Sequence, residues 1–286
     1  IYPIEPSFLW CTKCGQVKGD IDDACTIYDE NCSRLAEIEK QRNSIPEEDK
    51  RKEIALNWLK EKVYLNRKPC DINPRRFSVT QIDGMDVQIC LWWSQEGIYN
   101  CAYLFKSHDF YEKEIPVTIA VWDDGNNCLK LHENWIKETC ASGRAVMVLD
   151  TSGVGFMSQR QINYAPVQEM LGANFKLTHD LMWLDDSMAA LRTYDVIRAI
   201  DAIQVIPGIT AKDANIYASG RHGIYGQFAA VLDKRIKHID TKDTMKSFSQ
   251  WIKSKYYDTH DIMSIVLPGM LKYFDIPDLE RWINEK

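Results

Sequence analysis

The sequence contains no run that approaches about 18 consecutive apolar residues, which excludes a membrane-spanning helix. It also has no block of Lys or Arg, and its formal net charge is −6, so a nucleic acid or an anionic membrane surface is disfavoured as a partner. No basic segment followed by an apolar one opens the chain, and residue 1 is Ile rather than Met. We therefore expect a chain that was processed or that is a segment of a longer protein.

The composition is that of an ordinary soluble globular protein, with 45% hydrophobic and 27% charged residues. A length of 286 residues accommodates one large α/β domain or two small ones. Gly153 and Gly155 form too short a fragment of the G-x-G-x-x-G pattern to indicate a dinucleotide. We predict no cofactor.

The nine cysteines are odd in number and scattered, which favours reduced thiols and a cytoplasmic setting. Cys11 and Cys14 form a C-x-x-C pair, and Cys25 and Cys32 follow. Structural zinc requires four ligands and usually takes a second close pair, whereas six residues separate Cys25 from Cys32. We predict no metal site, with zinc at Cys11 and Cys14 as the open alternative.

A helical lead-in is predicted over residues 1–75 and an α/β domain over 76–286. Ser44 and Glu47 are spaced as a capping box for a helix over 44–65. From residue 98 onward apolar strands alternate with amphipathic helices, which indicates a mostly parallel sheet with crossover helices. The predicted strands are 99–105, 117–122, 145–149 and 215–218, and the predicted crossover helices include 129–140 and 187–204. Function in such sheets is located at the carboxyl ends of the strands.

Residues 219–223 (SGRHG) lie between a predicted strand and an apolar helix. A strand, a tight glycine-rich turn and a packed helix are the context of a nucleophile elbow, where G-x-S-x-G exposes a serine above the sheet. Aligning Gly223 with the last glycine puts Arg221 at the nucleophile position, and a guanidinium cannot attack an acyl carbon. Ser219 as the nucleophile would require small residues at Tyr217 and Arg221, and both are large.

Three segments resemble α/β-hydrolases of the acetyl xylan esterase and cephalosporin deacetylase type: 191–201 (LRTYDVIRAID), 226–233 (GQFAAVLD) and 266–279 (VLPGMLKYFDIPDL). Residues 150–155 (DTSGVG) are similar to the D-x-R-G-x-G loop of that group, with Ser152 in the place of arginine. Residues 9–17 (LWCTKCGQV) resemble the segment that joins two hydrolase-like halves in long members. The resemblance implies an α/β-hydrolase-like fold, here the second, degenerate half of such a protein, without the last strands of the sheet.

The resemblance further implies a serine, an acid and a histidine in that chain order, acting on a carbohydrate ester or a small acetyl ester. This sequence departs from that pattern at the nucleophile, where it has Arg221. It also has no histidine after His260, and it replaces the glycines of the oxyanion loop by Asp123 and Asp124. Their negative charge would oppose a developing oxyanion. The resemblance therefore implies an esterase-like domain that is inactive alone and acts as a scaffold, a homo-oligomer or a partner half.

Two alternatives stay open. One is an active ester hydrolase with a non-standard site of Ser219, His222 and an acid, Asp150 or Asp240. The other is a module that binds an anionic or sugar ligand through Arg221 and His222 at a helix start. Asp123, Asp124 and Ser152 are the candidate substrate-binding residues. His260 could pair with Asp258 or Asp261, but such a polar segment is typical of a solvated loop.

Overall fold

The computed structural model describes residues 2–159, 172–258 and 260–285. Three helices lie at the start of the chain. They are α1 (Val17–Asp20), α2 (Ile27–Arg42) and α3 (Glu48–Tyr64). The helix predicted over 44–65 is α3, but the predicted capping box is wrong, because the Ser44 hydroxyl donates to a carbonyl at the end of α2 at 2.7 Å. A capping box forms instead at the start of α2, between Thr26 and Asp29.

Helix α3 packs on the main core rather than standing apart from it. Its residues Ala55, Leu59 and Val63 are fully buried in the same apolar cluster as the central strands. The lead-in helix and the α/β layers therefore share one core across the predicted boundary at residue 75.

One eight-stranded sheet forms the centre of the molecule. Its strands are β1 (Arg75–Arg76), β2 (Thr80–Ile82), β3 (Met85–Gln95), β4 (Ile98–Ser107), β5 (Ile115–Val121), β6 (Ala145–Asp150), β7 (Ile209–Ser219) and β8 (Ile236–Lys242). The spatial order is β1-β3-β4-β6-β5-β7-β8, and β2 also pairs with β3. Pairing is antiparallel from β1 to β6 and parallel from β6 through β5 and β7 to β8. The predicted strands and the central sheet flanked by helices are confirmed, but the sheet is mixed rather than mostly parallel, since four of its pairings are antiparallel and three are parallel.

The later helices cover both faces of this sheet. They are α4 (Glu133–Ala141), α5 (Ala173–Trp183), α6 (Met188–Ile203), α7 (Gly223–Leu232), α8 (Phe248–Ile252) and α9 (Ile276–Asn284). Short 3₁₀ helices occupy Pro6–Leu9, His108–Phe110, Gly125–His132, Gly155–Met157, Ile262–Ile265 and Met270–Lys272. The helix predicted over 129–140 begins later, at Glu133. The residues before it form a 3₁₀ helix that is held by the buried Asp150, whose carboxylate accepts the Asn126 N–H at 2.7 Å.

Two apolar clusters, one on each face of the sheet, account for the continuous apolar runs in β5 and β6. Ile119 and Met147 contribute to the larger cluster, under α3, α6, α7 and α9. Ala120 and Val146 point to the other face, into the cluster that includes Ile136 of α4. Strands buried on both faces carry apolar residues at every position, which is the pattern of these two runs.

A single carboxylate, that of Asp275, accepts hydrogen bonds at the first turns of two C-terminal helices. Asp275 is the N-cap of α9 and accepts the Ile276 N–H at 2.8 Å, and it also accepts from Ser247 Oγ at 2.7 Å and Phe248 N at 2.9 Å at the start of α8. Burial raises the pKa of Asp275, but these hydrogen bonds outweigh burial and hold the pKa below its ordinary value. Asp275 therefore fixes the position of α8 relative to α9.

Candidate functional site

The turn that leads from β7 into α7, residues Ser219–Gly223, is here called the elbow turn. Gly220 has a φ of +68°, and its N–H donates to Lys242 O at 3.0 Å. A Cβ on Gly223 would lie 2.7 Å from Thr244 Cγ2 and 3.1 Å from the backbone carbon of Ala218. The turn is therefore as tight as the sequence predicts, and its left-handed residue is Gly220, one position before Arg221.

The Asp123 carboxylate fills the concave side of this turn. Asp123 Oδ1 accepts the His222 N–H at 2.8 Å, at the head of α7. A Cβ added to Gly220 would lie 2.5 Å from Asp123 Oδ2. A negative charge at a helix N-terminus is stabilised by the helix dipole and by the free backbone N–H groups. The carboxylate thus occupies the space that a side chain on Gly220 would need.

Arg221 points away from the concave side of the turn. Its guanidinium forms an ion pair with the Asp258 carboxylate and donates to the His260 carbonyl oxygen. The pKa of Asp258 is lowered, first by the backbone N–H of His260 and also by Arg221. The positive charge of Arg221 is therefore already paired within the chain.

His222 is buried and bonded to a carboxylate that the sequence did not assign to it. His222 Nε2 lies 2.9 Å from Asp261 Oδ2. Burial raises the pKa of Asp261, but the hydrogen bond with His222 and the charge of Arg192 outweigh burial and lower the pKa to about 2. The acids proposed from the sequence, Asp150 and Asp240, are not the partner of His222.

Those two acids have other roles. Asp150 is fully buried and accepts the Asn126 and Phe156 N–H groups at 2.7 and 2.8 Å, and burial raises its pKa. A Cβ on either Gly125 or Gly155 would collide with this carboxylate. Asp240 is exposed on β8 and pairs with His238 at 2.9 Å. Asp150 therefore holds two loops together, and Asp240 lies on the surface.

Arg192 connects the parts of the site. Its guanidinium is completely buried and donates from Nε to Ser152 O at 2.9 Å and from Nη1 to Tyr225 OH at 2.9 Å. Nη1 also lies 3.4 Å from both His222 Nε2 and Asp261 Oδ2. Arg192 therefore links the loop after β6, the first turns of α7 and the segment that contains Asp261.

The remaining predicted site residues are only partly brought together. Ser219 is buried, and within the described residues no hydrogen bond joins it to His222. Ser152 contacts Arg192 through its backbone, and its buried hydroxyl has no partner among the described residues. The Asp124 carboxylate contacts Cys128 Sγ at 3.9 Å instead of the elbow turn. His260 donates its backbone N–H to Asp258 at 3.0 Å, and Asp261 pairs with His222 instead of His260.

Sequence reasoning missed Asp261 and Arg192. One signal was available for Arg192, since it is one of four charged residues on a helix whose other residues are almost all apolar, and a buried charge must find a partner. The pairing of Asp261 carried no such signal, because His222 lies 39 residues earlier in the chain.

All nine cysteines are free thiols. Cys11, Cys14 and Cys25 are exposed, whereas burial raises the pKa of Cys90 and Cys140 to about 12. Across residues 2–159, 172–258 and 260–285, no three His, Cys, Asp or Glu side chains are grouped so that they could hold a metal ion. In the same part of the chain, no helix has the length and the apolar character that crossing a membrane requires.

Comparison with solved structures shows a shared fold. A protein of Bacteroides fragilis NCTC 9343, described as a candidate acetyl xylan esterase, superposes with a TM-score of 0.63 at 13% identity over 81% of this chain and 64% of that one. Acetyl xylan esterase 1 of Thermoanaerobacterium sp. JW/SL YS485 aligns with 13% identity over 81% of this chain and 74% of its own, at a TM-score of 0.46. A glucuronoyl esterase of Solibacter usitatus aligns with 13% identity over 70% of this chain and 60% of its own, at a TM-score of 0.47.

No protein-family model and no curated protein sequence matches the chain. The chain spans 64% of the length of the Bacteroides fragilis structure. At 13% identity this likeness establishes the fold and no activity. The chain has an α/β-hydrolase-like fold, similar to that of the Bacteroides fragilis protein.

Proposed function

We propose that this chain is an esterase-like domain without ester hydrolase activity of its own, which acts as a scaffold or as the partner half of a larger assembly. The position of Asp123 carries the proposal. Its carboxylate lies against Gly220 and accepts the His222 N–H, so the elbow turn is closed by a group of the chain itself.

Acyl transfer requires a nucleophile at the turn and donors that stabilise the tetrahedral oxyanion. If Gly223 is aligned with the last glycine of G-x-S-x-G, the nucleophile position falls on Arg221. If the residue with a left-handed φ marks that position, it falls on Gly220. Neither residue can attack an acyl carbon, since one is a permanent cation and the other has no side chain. In addition, the negative charge of Asp123 would repel an oxyanion at the head of α7.

A second candidate is an active ester hydrolase that uses Ser219 and His222. The 2.9 Å contact between His222 Nε2 and Asp261 Oδ2 favours it, because a general base of this kind needs a carboxylate to orient it. The lack of a hydrogen bond between Ser219 and His222 in the described residues weighs against it. A serine and a histidine that are not hydrogen-bonded in the absence of substrate can come together in the substrate complex, so an assay must decide between the two candidates.

The assay is hydrolysis of p-nitrophenyl acetate by the purified chain, by Ser219→Ala and by Ser142→Ala. Ser142 is a matched control because its exposed hydroxyl only closes the end of α4, with a bond to Thr139 O at 2.7 Å. We expect all three proteins to give the rate of buffer alone. Turnover above buffer in the wild type and in Ser142→Ala, with none in Ser219→Ala, would refute the proposal and establish the second candidate.

A module that binds an anionic or sugar ligand is the remaining alternative. The groups that would hold an anion are both occupied, since Arg221 pairs with Asp258 and the His222 N–H is bonded to Asp123. An anionic ligand would have to displace two carboxylates. If a partner half supplies the catalytic groups, the substrate class that we propose is an acetylated carbohydrate, in line with the description of the Bacteroides fragilis neighbour.

A further inference from the structure

A cavity of about 150 Å³ lies where the end of α2, the first turn of α3 and helix α9 meet. Its charged lining residues are Arg42, Arg51 and Arg281 with the two acids Glu48 and Asp278. Arg281 is paired with both acids, since its Nε lies 2.9 Å from Glu48 Oε1 and its Nη2 lies 2.7 Å from Asp278 Oδ1. One arginine therefore takes up the acids of the cavity, and the charges of Arg42 and Arg51 are left over.

Arg42 and Arg51 each use only one end of the guanidinium for contacts within the described residues. Arg42 Nη1 donates to Leu271 O at 3.3 Å, and Arg51 Nη1 donates to Ile45 O and, at 3.3 Å, to Pro46 O. In both arginines the edge formed by Nε and Nη2 has no partner in that part of the chain. This edge carries the two parallel N–H groups with which an arginine binds a carboxylate or a phosphate.

Trp282 also lines the cavity, although it is only 4% exposed. Its indole Nε1 is buried and has no hydrogen-bond partner among the residues that the structure describes. A buried N–H without an acceptor is destabilising, and most such groups in proteins have a partner. An acceptor atom bound in the cavity would provide that partner.

These groups suit a tetrahedral oxyanion better than a planar one. The two guanidinium edges and the indole together offer five N–H donors. A carboxylate has only two oxygens, whereas a phosphate presents oxygens in four directions and carries up to two negative charges near neutral pH. The cavity is larger than several water molecules require, so it accommodates one phosphoryl group.

We propose that this cavity binds a phosphoryl group, which is held by the Nε–Nη2 edges of Arg42 and Arg51 and by the indole N–H of Trp282. The group belongs either to free phosphate or to a small phosphomonoester. The inference goes beyond the proposed function and does not depend on it, because none of these residues belongs to the elbow turn.

The test is isothermal titration calorimetry on the purified chain at about pH 8 and constant ionic strength, where a phosphomonoester is a dianion. The ligands are inorganic phosphate, glucose 6-phosphate and acetate. We expect phosphate or glucose 6-phosphate to bind at least about ten-fold more tightly than acetate. Arg42→Gln and Arg51→Lys should each weaken that binding at least about ten-fold, since hydrogen bonds to a charged group are lost. Arg51→Lys keeps the positive charge, so its effect measures the guanidinium edge rather than the charge.

Arg34→Gln is the matched control. Arg34 lies on α2, as Arg42 does, but it is exposed and pairs with Glu30 at 2.9 Å. The variant therefore makes the same change of charge outside the cavity, and it is expected to bind phosphate like the wild type. Thermal unfolding without phosphate verifies that each variant folds. Arg42→Gln is the mildest of them, because it removes a single bond of 3.3 Å.

The indole N–H of Trp282 gives a second measurement. Its resonance is the one that is absent from the ¹H–¹⁵N spectrum of Trp282→Phe, and it should shift when phosphate is added to the wild type. Binding that is tighter for glucose 6-phosphate supports a phosphomonoester as the ligand, and binding that is tighter for phosphate supports the free ion.

Failure of both phosphate ligands to bind overturns the proposal. The same holds if acetate binds as tightly as they do, or if Arg34→Gln loses as much affinity as Arg42→Gln. A Trp282 resonance that does not move on saturation with phosphate also overturns it.

Discussion

Replacing Gly220 by Ala tests whether Asp123 closes the elbow turn. The new Cβ would lie 2.5 Å from Asp123 Oδ2, which is closer than real Cβ contacts come, so the carboxylate must move. Moving it breaks the hydrogen bond from the His222 N–H. The substitution also places an L side chain at a φ of +68°.

The two effects differ in origin and can be separated. A left-handed backbone costs a non-glycine residue about 1–2 kcal/mol. Loss of a hydrogen bond to a charged acceptor costs about 1.5–3 kcal/mol more. We expect Gly220→Ala to lower the free energy of unfolding by about 2.5–5 kcal/mol in the wild type, but by only about 1–2 kcal/mol in an Asp123→Ala background, where the carboxylate is already absent.

The measurement is urea unfolding of the wild type, both single variants and the double variant. Gly97→Ala is the matched control, because Gly97 has a φ of +78° and nothing lies within 4 Å of an added Cβ. Its cost should be the same with and without Asp123→Ala. Additive costs for Gly220→Ala and Asp123→Ala, within about 0.5 kcal/mol, would refute the arrangement.

Two further predictions concern the carboxylates of Asp261, which is partly buried, and Asp275, which is buried. Because the pKa of Asp261 is lowered to about 2, its contribution of about 2 kcal/mol is present above the unfolded pKa near 3.8 and is lost as the pH falls toward 2. The stability difference between the wild type and Asp261→Asn, measured by urea unfolding, should therefore shrink between pH 5 and pH 2 on the order of this amount, and a constant difference would contradict the assignment. Asp275→Ala removes the cap of α9 and the bonds to α8 together, so we expect thermal and urea unfolding to show a loss of about 2–4 kcal/mol. Asp278→Ala, which removes only the bond to the Asp275 N–H and an exposed ion pair, should cost about 1 kcal/mol or less, and equal losses would contradict the double role of Asp275.

The elements that could be predicted are those in which burial imposes a periodic pattern. β5 and β6 are apolar at nearly every position because both of their faces are covered, and α6 is buried on almost all sides between the sheet and neighbouring helices. The capping box at Ser44 failed because a hydroxyl near two helices can serve either one. Its bond to Gln41 O closes α2 and leaves the start of α3 uncapped.

The site was less accessible to prediction. The sequence located the candidate site at the carboxyl ends of the strands, and in the structure Asp123, after β5, contacts the elbow turn, after β7. The pairing of His222 with Asp261 was not foreseen, because a contact across 39 residues depends on how the 260–265 segment packs on α7. A polar stretch of sequence gives no indication of such packing.

Arg192 also determines how the molecule can fluctuate. The guanidinium bonds to segments 40, 33 and 69 residues away, and all of its charge is removed from water. If any one of the three segments opened alone, a buried cation would lose a partner, at a cost of several kcal/mol. The loop after β6, the start of α7 and the segment around Asp261 should therefore open as one cooperative unit, with similar amide exchange protection, rather than as three independent loops.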